Sequence, residues 1–475
     1  MSFRKIFFRN IIILGGYTYT SQIIQFLATI ILSRLLLPEE YGFVALITVF
    51  TGFVQTFSDA GLSYLIIRSD YGGLFHRVIH YLSFIIGLIL FSVVVLLAYP
   101  ISLFYDNPDI ILPTLVLSFN FILHSFVPVP YGVLSKGLKF NSLGSLELIC
   151  TLIQIVFMIL LAYLGLSYWA LVYPVVIGNI ARVIMYYFKT GIRLRFYRIK
   201  YLAVGLRKAK SIIGNLTGFT FLNYWARNSD NLIIGRVYGT ESLGIYNRAY
   251  KLLNMILQVM TGLFGKVLYP SLKDLMSKGG DINKEYLNLL GIISLINYPI
   301  AIILIFFSKP LVILLWSEKW LLVADLLPYI GVLILTQTLN STTGNIFILY
   351  GKERTLFRLG IPVNIIMILA IVAGAFFSYV HILRFYALSF ILINIPLVIH
   401  YGFRLSFGIK WREIIVFWIP KIVLSFLLII SIWVDYDWLT IFLSMAYLIH
   451  LLILQWEDIN NFYNYSLRKL KLRNS

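Results

Sequence analysis

Continuous apolar runs of about twenty residues, separated by short polar loops, make up most of this chain. As an α-helix, a run of this length matches the thickness of a lipid bilayer. A membrane β-barrel would instead alternate apolar and polar residues in segments of about ten. The pattern predicts about fourteen transmembrane helices. The predicted spans cover residues 11–33, 41–67, 78–98, 110–132, 144–164, 168–188, 212–234, 241–268, 286–307, 322–350, 356–378, 382–402, 414–434 and 437–455.

The composition supports a membrane protein. The 475 residues are 60% hydrophobic and 12% charged, which is about half the charged fraction of a typical soluble domain. The basic stretch Met1–Asn10 runs directly into the first span without a small-residue cleavage site, so we expect a retained first helix. Cys150, the single cysteine, lies in an apolar run and is expected to pack as a small hydrophobic residue. These features predict an all-α integral membrane protein.

Lysine and arginine residues concentrate in alternate loops. One set of loops contains the N-terminal basic residues, the basic stretch 189–210 and the C-terminal tail. The other set contains only Arg34, Arg236, Lys309, Lys319 and Arg384. Because cytoplasmic loops are enriched in basic residues, this bias predicts that both termini are cytoplasmic. It also explains the net charge of +19 without a nucleic-acid partner, which we do not expect.

A stretch near the start of the chain recurs farther along it. SRLLLPEEYG (Ser33–Gly42) aligns without gaps to GRVYGTESLG (Gly235–Gly244) at a constant offset of 202 residues. The matched pairs are Arg34 with Arg236, Glu39 with Glu241, and Gly42 with Gly244. Six predicted spans separate the copies, so both halves keep the same orientation and are related by an axis along the membrane normal. We expect the matched residues to superpose when the two halves are compared.

The longest connection between spans predicts how the chain is divided. Residues 191–211 alternate basic with aromatic and aliphatic side chains, as is typical of a segment lying on an anionic membrane surface. We expect Arg193, Arg195, Arg198 and Lys200 to lie near lipid headgroups. The prediction is a six-helix lobe at 1–190, a second at 212–402, and two further helices with a basic cytoplasmic tail at 403–475.

Charged residues occur inside predicted spans seven and eight. Arg227 and Asp230 share one face of span seven, and Arg248 and Lys251 share one face of span eight, with Asn254 extending its polar surface. At a rise of about 1.5 Å per residue, Arg248 lies roughly 10 Å and Lys251 roughly 15 Å below the outer surface. A charge at such depth costs several kcal/mol unless it meets a partner or water.

Two interpretations of these charges stay open. One is a structural pair between Arg227 and Asp230 that fastens two helices. The other is a cationic wall that faces a central water-filled cleft and meets an anionic substrate. Because three of the four charges are basic, pairing alone leaves excess positive charge, which favours the second interpretation for Arg248 and Lys251.

The first half contains two further candidates. Arg182 lies in the cytoplasmic third of span six, where it is a candidate for the substrate cavity. Asp59 lies towards the cytoplasmic end of span two, and either forms an ion pair with Arg68 or Arg77 or takes part in proton or sodium coupling. No other cofactor, no metal site and no catalytic residue is expected, because the sequence has neither a phosphate-binding loop nor a His-Glu-His zinc pattern.

Two segments, Leu32–Arg68 and Arg227–Leu253, resemble the polysaccharide and O-antigen flippases of the multidrug/oligosaccharidyl-lipid/polysaccharide exporter superfamily. The most specific part of the resemblance is DNLIIGR, Asp230–Arg236, and the similarity is greatest to the colanic- and teichuronic-acid exporter branch. The resemblance extends over essentially the whole chain. It implies two parallel-repeat six-helix lobes with two extra helices, and translocation of a polyprenyl-diphosphate-linked oligosaccharide by alternating access.

The resemblance also implies partners and a location. The expected partners are the lipid-linked oligosaccharide, membrane lipids, and the polymerase and glycosyltransferases of the same pathway, in a bacterial cytoplasmic membrane. Arginine and lysine suit a diphosphate, and amide side chains suit sugar hydroxyls. The alternative is a cation-coupled multidrug exporter of the same superfamily, although organic cations would favour an acidic cavity. A scaffold or an integral-membrane glycosyltransferase is a third class, and the acidic metal-binding motif of a transferase is missing from the sequence.

Overall fold

A computed structural model describes residues 3–59, 61–68, 73–197 and 224–455. Regular secondary structure in these residues is helical throughout. The described chain divides into two compact units, one of Met1–Ile245 with Leu315–Trp320, the other of Tyr246–Leu314 with Leu321–Ser475. This confirms the predicted all-α membrane fold. The predicted division into lobes with a linker at 191–211 stays a prediction.

The first unit is built from nine α-helices among the described residues. They are α1 (Phe3–Leu35), α2 (Pro38–Gln55), α3 (Leu62–Arg68), α4 (Gly73–Tyr105), α5 (Ile111–His124), α6 (Pro128–Lys136), α7 (Phe140–Tyr163), α8 (Trp169–Thr190) and α9 (224–237), with a 3₁₀ turn at Pro108–Ile110. Helix α1 packs along α7, α7 along α8, α8 along α5 and α5 along α4. This arrangement brings α5, α7 and α8 together around the candidate site described below.

Helix α2 begins as its sequence predicts. Pro38 occupies the first turn, where its missing N–H costs nothing, and Glu39 and Glu40 lie beside the positive end of the helix dipole. The Glu40 carboxylate accepts a hydrogen bond from the backbone N–H of Leu37 at 2.7 Å. These residues stop α1 from continuing and fix the tight turn that opens α2.

Two predicted spans of the first unit are broken. The second span is interrupted between α2 and α3, and the fourth between α5 and α6, where Pro128 starts the new helix. The short helices α3 and α6 pack on each other, with Leu62, Ile66 and Val129 fully buried. The two breaks place Asp59 and His124 at helix ends in the interior of the unit.

The repeated stretches contact each other within the first unit. A Cβ atom added to Gly42 would lie 1.7 Å from the carbonyl oxygen of Thr240, and one added to Gly244 would lie 1.9 Å from that of Pro38. Pro38 and Thr240 occupy equivalent positions in the two stretches, as do the two glycines. The contact is therefore reciprocal, as a local two-fold axis between the stretches requires, and it supports the alignment. Superposition of the complete halves stays a prediction.

The second unit contains most of α10 and the helices that follow it. They are α10 (Gly239–Ser277), α11 (Ile282–Phe306), α12 (Ser308–Trp316), α13 (Leu327–Asn340), α14 (Thr343–Leu349), α15 (Glu353–Gly374), α16 (Tyr379–Ser389), α17 (Ile395–Val398), α18 (Trp411–Trp433) and α19 (Asp437–Leu454), with a 3₁₀ helix at Glu318–Asp325 and π-helices at Phe390–Asn394 and Ile399–Ser406. The helices with the most extensive contacts in this unit are α11 with α13, α15 with α16, and α18 with α19. Buried polar bonds reinforce them, such as that from Asn297 Nδ2 to Thr338 Oγ1 at 2.8 Å.

The predicted spans agree with the helices. Each span coincides over most of its length with helical residues, although span seven is described only from residue 224 onwards. Within the described chain, nine helices are long and apolar enough to cross a membrane, or ten if the pair Glu318–Asp325 and Leu327–Leu349, bent by 51°, counts as one span. The chain is therefore a multi-pass membrane protein, and the number fourteen stays a prediction.

Loops assigned to the same membrane face meet in the structure. In the first unit Arg236 Nη1 lies 3.5 Å from Asp106 Oδ2, and Trp320 Nε1 donates to the Ser33 carbonyl at 2.9 Å. These four residues all belong to loops or helix ends that the charge pattern assigns to the outer face. The contacts agree with the predicted alternation of loops. Which face is cytoplasmic stays a prediction.

The start of the predicted linker is described. Gly191 adopts φ of 65° and ends α8, since this left-handed conformation favours glycine. Residues 192–197 follow without helix, and Arg193 and Arg195 are exposed. Arg198, Lys200 and the remainder of the linker lie outside the described residues.

Candidate functional site

A chain of hydrogen bonds and one ion pair joins α5, α7 and α8. Arg182 donates from Nε to Glu147 Oε2 at 3.2 Å, and its Nη2 lies 3.1 Å from the same oxygen. The other carboxylate oxygen of Glu147 accepts from the Tyr186 hydroxyl at 3.0 Å. Arg182 Nη1 also donates to Asn179 Oδ1, and Asn179 Nδ2 donates to Asn120 Oδ1 at 2.8 Å. The network uses both oxygens of Glu147 and commits the guanidinium of Arg182 to protein partners.

This network borders a cavity of about 330 Å³ inside the first unit, here called the first-unit cavity. Its polar lining residues are Thr48, Thr51, Gln55, Asn120, His124, Gln154, Asn179 and Arg182. Its apolar lining includes Leu117, Phe121 and Leu171. The cavity is therefore rich in neutral hydrogen-bonding groups, with one cation that is already paired. It is a polar pocket inside a membrane protein.

The His124 ring at the end of α5 also lines the cavity. Its Nδ1 atom is buried and has no hydrogen-bond partner among the described residues. A buried polar atom of this kind is uncommon in a folded protein unless a ligand or water completes its bonding.

Asp59 caps α3. Its Oδ1 accepts from the backbone N–H of Ser63 at 3.2 Å, and its Oδ2 accepts from the Ser63 hydroxyl at 2.7 Å. The side chain of Arg68, one of its two candidate partners, lies outside the described residues. The capping geometry gives Asp59 a structural role, and its role in ion coupling stays a prediction.

The candidates on α10 form a polar stripe in the second unit. Lys251, Asn254 and Gln258 are exposed and are spaced so that they share one face of the helix, whereas Arg248 is 5% exposed. Lys251 is thus a basic residue with exposed surface in a predicted membrane span. We call these three exposed residues the α10 stripe.

The remaining candidates lie on α9 in the first unit. Arg227 is exposed, whereas Asp230 is buried and accepts from the backbone N–H of Asn231 at 2.8 Å. The two side chains therefore have different surroundings, although they are only three residues apart. The interpretation of this pair as a helix fastener stays a prediction.

Sequence reasoning missed Glu147, the partner of Arg182. Glu147 is an acidic residue inside an otherwise apolar predicted span, which is a signal that could have found it. Arg182 by itself was identified as a candidate without a partner. Of the described residues, no cluster of three His, Cys, Asp or Glu side chains could hold a metal ion.

Comparison with known proteins shows consistent similarities. A family model described as polysaccharide biosynthesis protein matches residues 31–325. The chain is 23% identical over 359 residues to the lipopolysaccharide biosynthesis protein WzxC of Escherichia coli (strain K12), covering 72% of this chain and 70% of that one. It is 23% identical over 358 residues to the teichuronic acid biosynthesis protein TuaB of Bacillus subtilis (strain 168), covering 73% of each.

Two solved structures share the fold. The lipid II flippase MurJ in an inward closed conformation superposes with a TM-score of 0.68 at 15% identity, covering 94% of this chain and all of that one. An inward-facing multidrug resistance MATE transporter of the MOP superfamily superposes with a TM-score of 0.63 at 14% identity, covering 81% of this chain and 94% of that one. At these identities the similarity concerns the fold alone.

Proposed function

This chain belongs to the polysaccharide biosynthesis protein family, and from that premise we propose that it carries a polyprenyl-diphosphate-linked oligosaccharide across the bacterial cytoplasmic membrane. The movement runs from the cytoplasmic to the outer leaflet by alternating access. The observation that carries the proposal is the combination of this family with a transporter fold. The curated relatives act in the biosynthesis of lipopolysaccharide and teichuronic acid, both of which are surface glycans.

The described side chains suit such a substrate. A lipid diphosphate is anionic, and the exposed ammonium of Lys251 on the α10 stripe is a suitable partner. Asn254 and Gln258 offer amide groups for sugar hydroxyls on the same face. The basic character of the stripe argues against the multidrug alternative, because an organic cation would be repelled. Transport requires no catalytic residue, so the proposed function is not enzymatic.

The pathway and the energy source belong to the same proposal. The polymerase and glycosyltransferases that make and use the lipid-linked glycan are the proposed protein partners. A proton or sodium gradient is the proposed driving force, with Asp59 as the candidate coupling residue because it is a carboxylate inside predicted span two.

The function is tested in cells that lack this protein. Their lipid-linked oligosaccharide is expected to accumulate on the cytoplasmic face, protected from a membrane-impermeant oxidant such as periodate in intact cells. Expression of the wild-type chain should expose the glycan to the oxidant and restore the surface polysaccharide. Full exposure of the glycan in the deletion strain would show that another protein moves it.

The cationic residues of α10 provide a sharper prediction. The double variant Arg248→Ala, Lys251→Ala should abolish export, because no other cation of α10 remains at that depth to meet the diphosphate. The matched control is Lys273→Ala, Lys278→Ala, which removes two exposed cations near the end of the same helix and should export normally. Protein level is measured in parallel. Normal export by the Arg248→Ala, Lys251→Ala variant at native abundance would falsify the diphosphate-binding role.

A further inference from the structure

Among the residues that the structure describes, the first-unit cavity has no available cation for a phosphate. Arg182 is the only Lys or Arg of the described lining, and its guanidinium already bonds Glu147 and Asn179. The Glu147 carboxylate cancels its charge at 3.1 Å. A diphosphate placed in this cavity would compete with Glu147 and leave a carboxylate uncompensated in the membrane, which costs several kcal/mol. The cavity is therefore suited to a neutral ligand.

The lining groups match a polyhydroxylated ligand. Each amide side chain offers both hydrogen-bond donors and an acceptor, and each hydroxyl offers one donor with acceptor capacity. A sugar ring presents the same mixture of donors and acceptors around its edge. Gln154 and Gln55 reach the cavity from α7 and α2, and Asn120 reaches it from α5. Polar groups therefore surround the cavity from several sides rather than from one helix.

Apolar groups complete the match. Phe121, Leu117 and Leu171 line the same cavity and can pack against the C–H faces of a sugar ring. The buried Nδ1 of His124 has no partner among the described residues, so a ligand hydroxyl could complete its bonding. The volume of about 330 Å³ lies at the small end of the range for small-molecule sites, which is about 300–1,000 Å³. This size suits one ring of a glycan rather than a whole oligosaccharide.

We propose that the first-unit cavity binds one uncharged glycosyl residue of the lipid-linked glycan, separately from the group that neutralises the diphosphate. This inference rests on the proposed transport function and adds a division of labour to it. The cavity recognises the sugar through neutral hydrogen bonds, and the α10 stripe recognises the anion through charge. The Arg182–Glu147 pair orients Asn179 and keeps the cavity electrically neutral.

The test compares two lipid probes on the purified full-length protein in lipid nanodiscs. One probe is the polyprenyl-diphosphate-linked oligosaccharide extracted from the deletion strain, and the other is polyprenyl diphosphate without sugar. Equilibrium binding of each probe is measured for the wild type, Gln154→Leu and Lys251→Ala. Gln154→Leu is chosen because Gln154 lines the cavity and is not among the described partners of Arg182, which are Glu147 and Asn179.

Gln154→Leu should weaken binding of the glycosylated lipid about tenfold, which corresponds to about 1.4 kcal/mol, and leave binding of the bare diphosphate lipid unchanged. Lys251→Ala should weaken both probes. Gln25→Leu, which changes an exposed glutamine of α1 outside the cavity lining, serves as the matched control and should bind both probes as the wild type does. If Gln154→Leu lowers the yield of folded protein, Gln55→Leu replaces it.

The outcomes separate this inference from the proposed function. Glycosylated lipid that binds equally to wild type, Gln154→Leu and Gln55→Leu would overturn the cavity assignment and leave transport standing. Equal weakening of both probes by the cavity variants would also overturn it, because the cavity would then act on the diphosphate or on the fold. A wild-type protein that binds neither probe would overturn the proposed function together with the cavity assignment.

Discussion

At the scale of single residues, the Arg182–Glu147 pair shows how a membrane interior tolerates charge. Neither group is isolated, since Glu147 accepts from both Arg182 and Tyr186. The Arg182 guanidinium also donates to the Asn179 amide oxygen, and the Asn179 amide nitrogen donates to Asn120. The amides beside the pair therefore take part in the same hydrogen-bond network. Within the part of the chain that the structure describes, the one Lys or Arg side chain that lines the cavity is therefore paired with a carboxylate.

The pair predicts non-additive effects of substitution. Glu147→Gln leaves the Arg182 charge uncompensated, and Arg182→Gln leaves the Glu147 charge uncompensated. Breaking a fully buried pair costs about 3–5 kcal/mol, and the loss here should be smaller because Glu147 is 40% exposed. The double variant should lose less stability than the two single losses combined. The unfolding temperature in detergent and the export of the glycan in cells are measured for all three variants.

An exposed ion pair serves as the control for this comparison of single and double variants. Lys278 Nζ lies 2.6 Å from Asp274 Oδ2 on the surface of α10, and both side chains are more than half exposed. Such pairs contribute about 0–1 kcal/mol, so Asp274→Asn and Lys278→Gln should leave the unfolding temperature nearly unchanged. Additive losses at Arg182 and Glu147 would show that the two residues act independently.

At the scale of helices, α2 and the start of α10 approach each other closely through a reciprocal contact. Glycine at positions 42 and 244 lets each helix backbone meet a carbonyl oxygen of the other. Close packing at small residues is a common way to associate helices in membranes, where the hydrophobic effect does not drive association. The repeated sequence thus stabilises a contact between its own two copies.

Gly42→Val tests this contact. Any Cβ atom at this position would clash with the Thr240 carbonyl, and the obstacle is backbone, so it cannot rotate away. Overpacking of well-packed sites costs roughly 1–3 kcal/mol, and we expect at least that here, seen as a lower unfolding temperature and a lower protein level. Gly360→Val is the matched control, because a Cβ at Gly360 of α15 meets nothing within 4 Å. Equal stability of the two variants would contradict the contact.

At the scale of the whole molecule, alternate loops differ in basic charge and loops of one predicted face meet each other. In the second unit, Asn283 Nδ2 donates to the Phe407 carbonyl at 3.1 Å, and Asn283 Oδ1 accepts from the Tyr350 hydroxyl at 3.0 Å. All three residues belong to the face that carries most of the basic residues. The pattern of charge and the pattern of contact therefore predict the same topology.

Cysteine labelling of intact cells checks this topology. Cys150 is buried and can be replaced by alanine as the background. A cysteine at Asp109, which is exposed on the predicted outer face, should react with a membrane-impermeant maleimide. A cysteine at Lys278, which is exposed on the predicted cytoplasmic face, should react only after the membrane is permeabilised. Labelling in the reverse order would invert the orientation of the whole chain.

The sequence by itself determined the helical class and the approximate positions of the spans. A helix that crosses a bilayer must satisfy its backbone hydrogen bonds internally, so the length and polarity of one contiguous run decide the outcome locally. The turn at Pro38, the start of α2 and the matched pair Gly42 and Gly244 followed from the same kind of local chemistry. Arg182 was found because a charge in an apolar run is costly wherever it points.

Only the tertiary structure decided which residues meet. Glu147 and Arg182 are separated by 35 residues, and their pairing depends on the packing of α7 against α8. The contact of α3 with α6, which buries Leu62, Ile66 and Val129, likewise joins segments that are distant along the chain. The first-unit cavity is the space left between α2, α5, α7 and α8. The apolar pattern of a sequence shows which residues avoid water. Lipid and protein neighbours both keep an apolar side chain away from water, so the pattern does not say which of them it contacts. The partners of each helix are therefore set by the fit of side chains between distant segments.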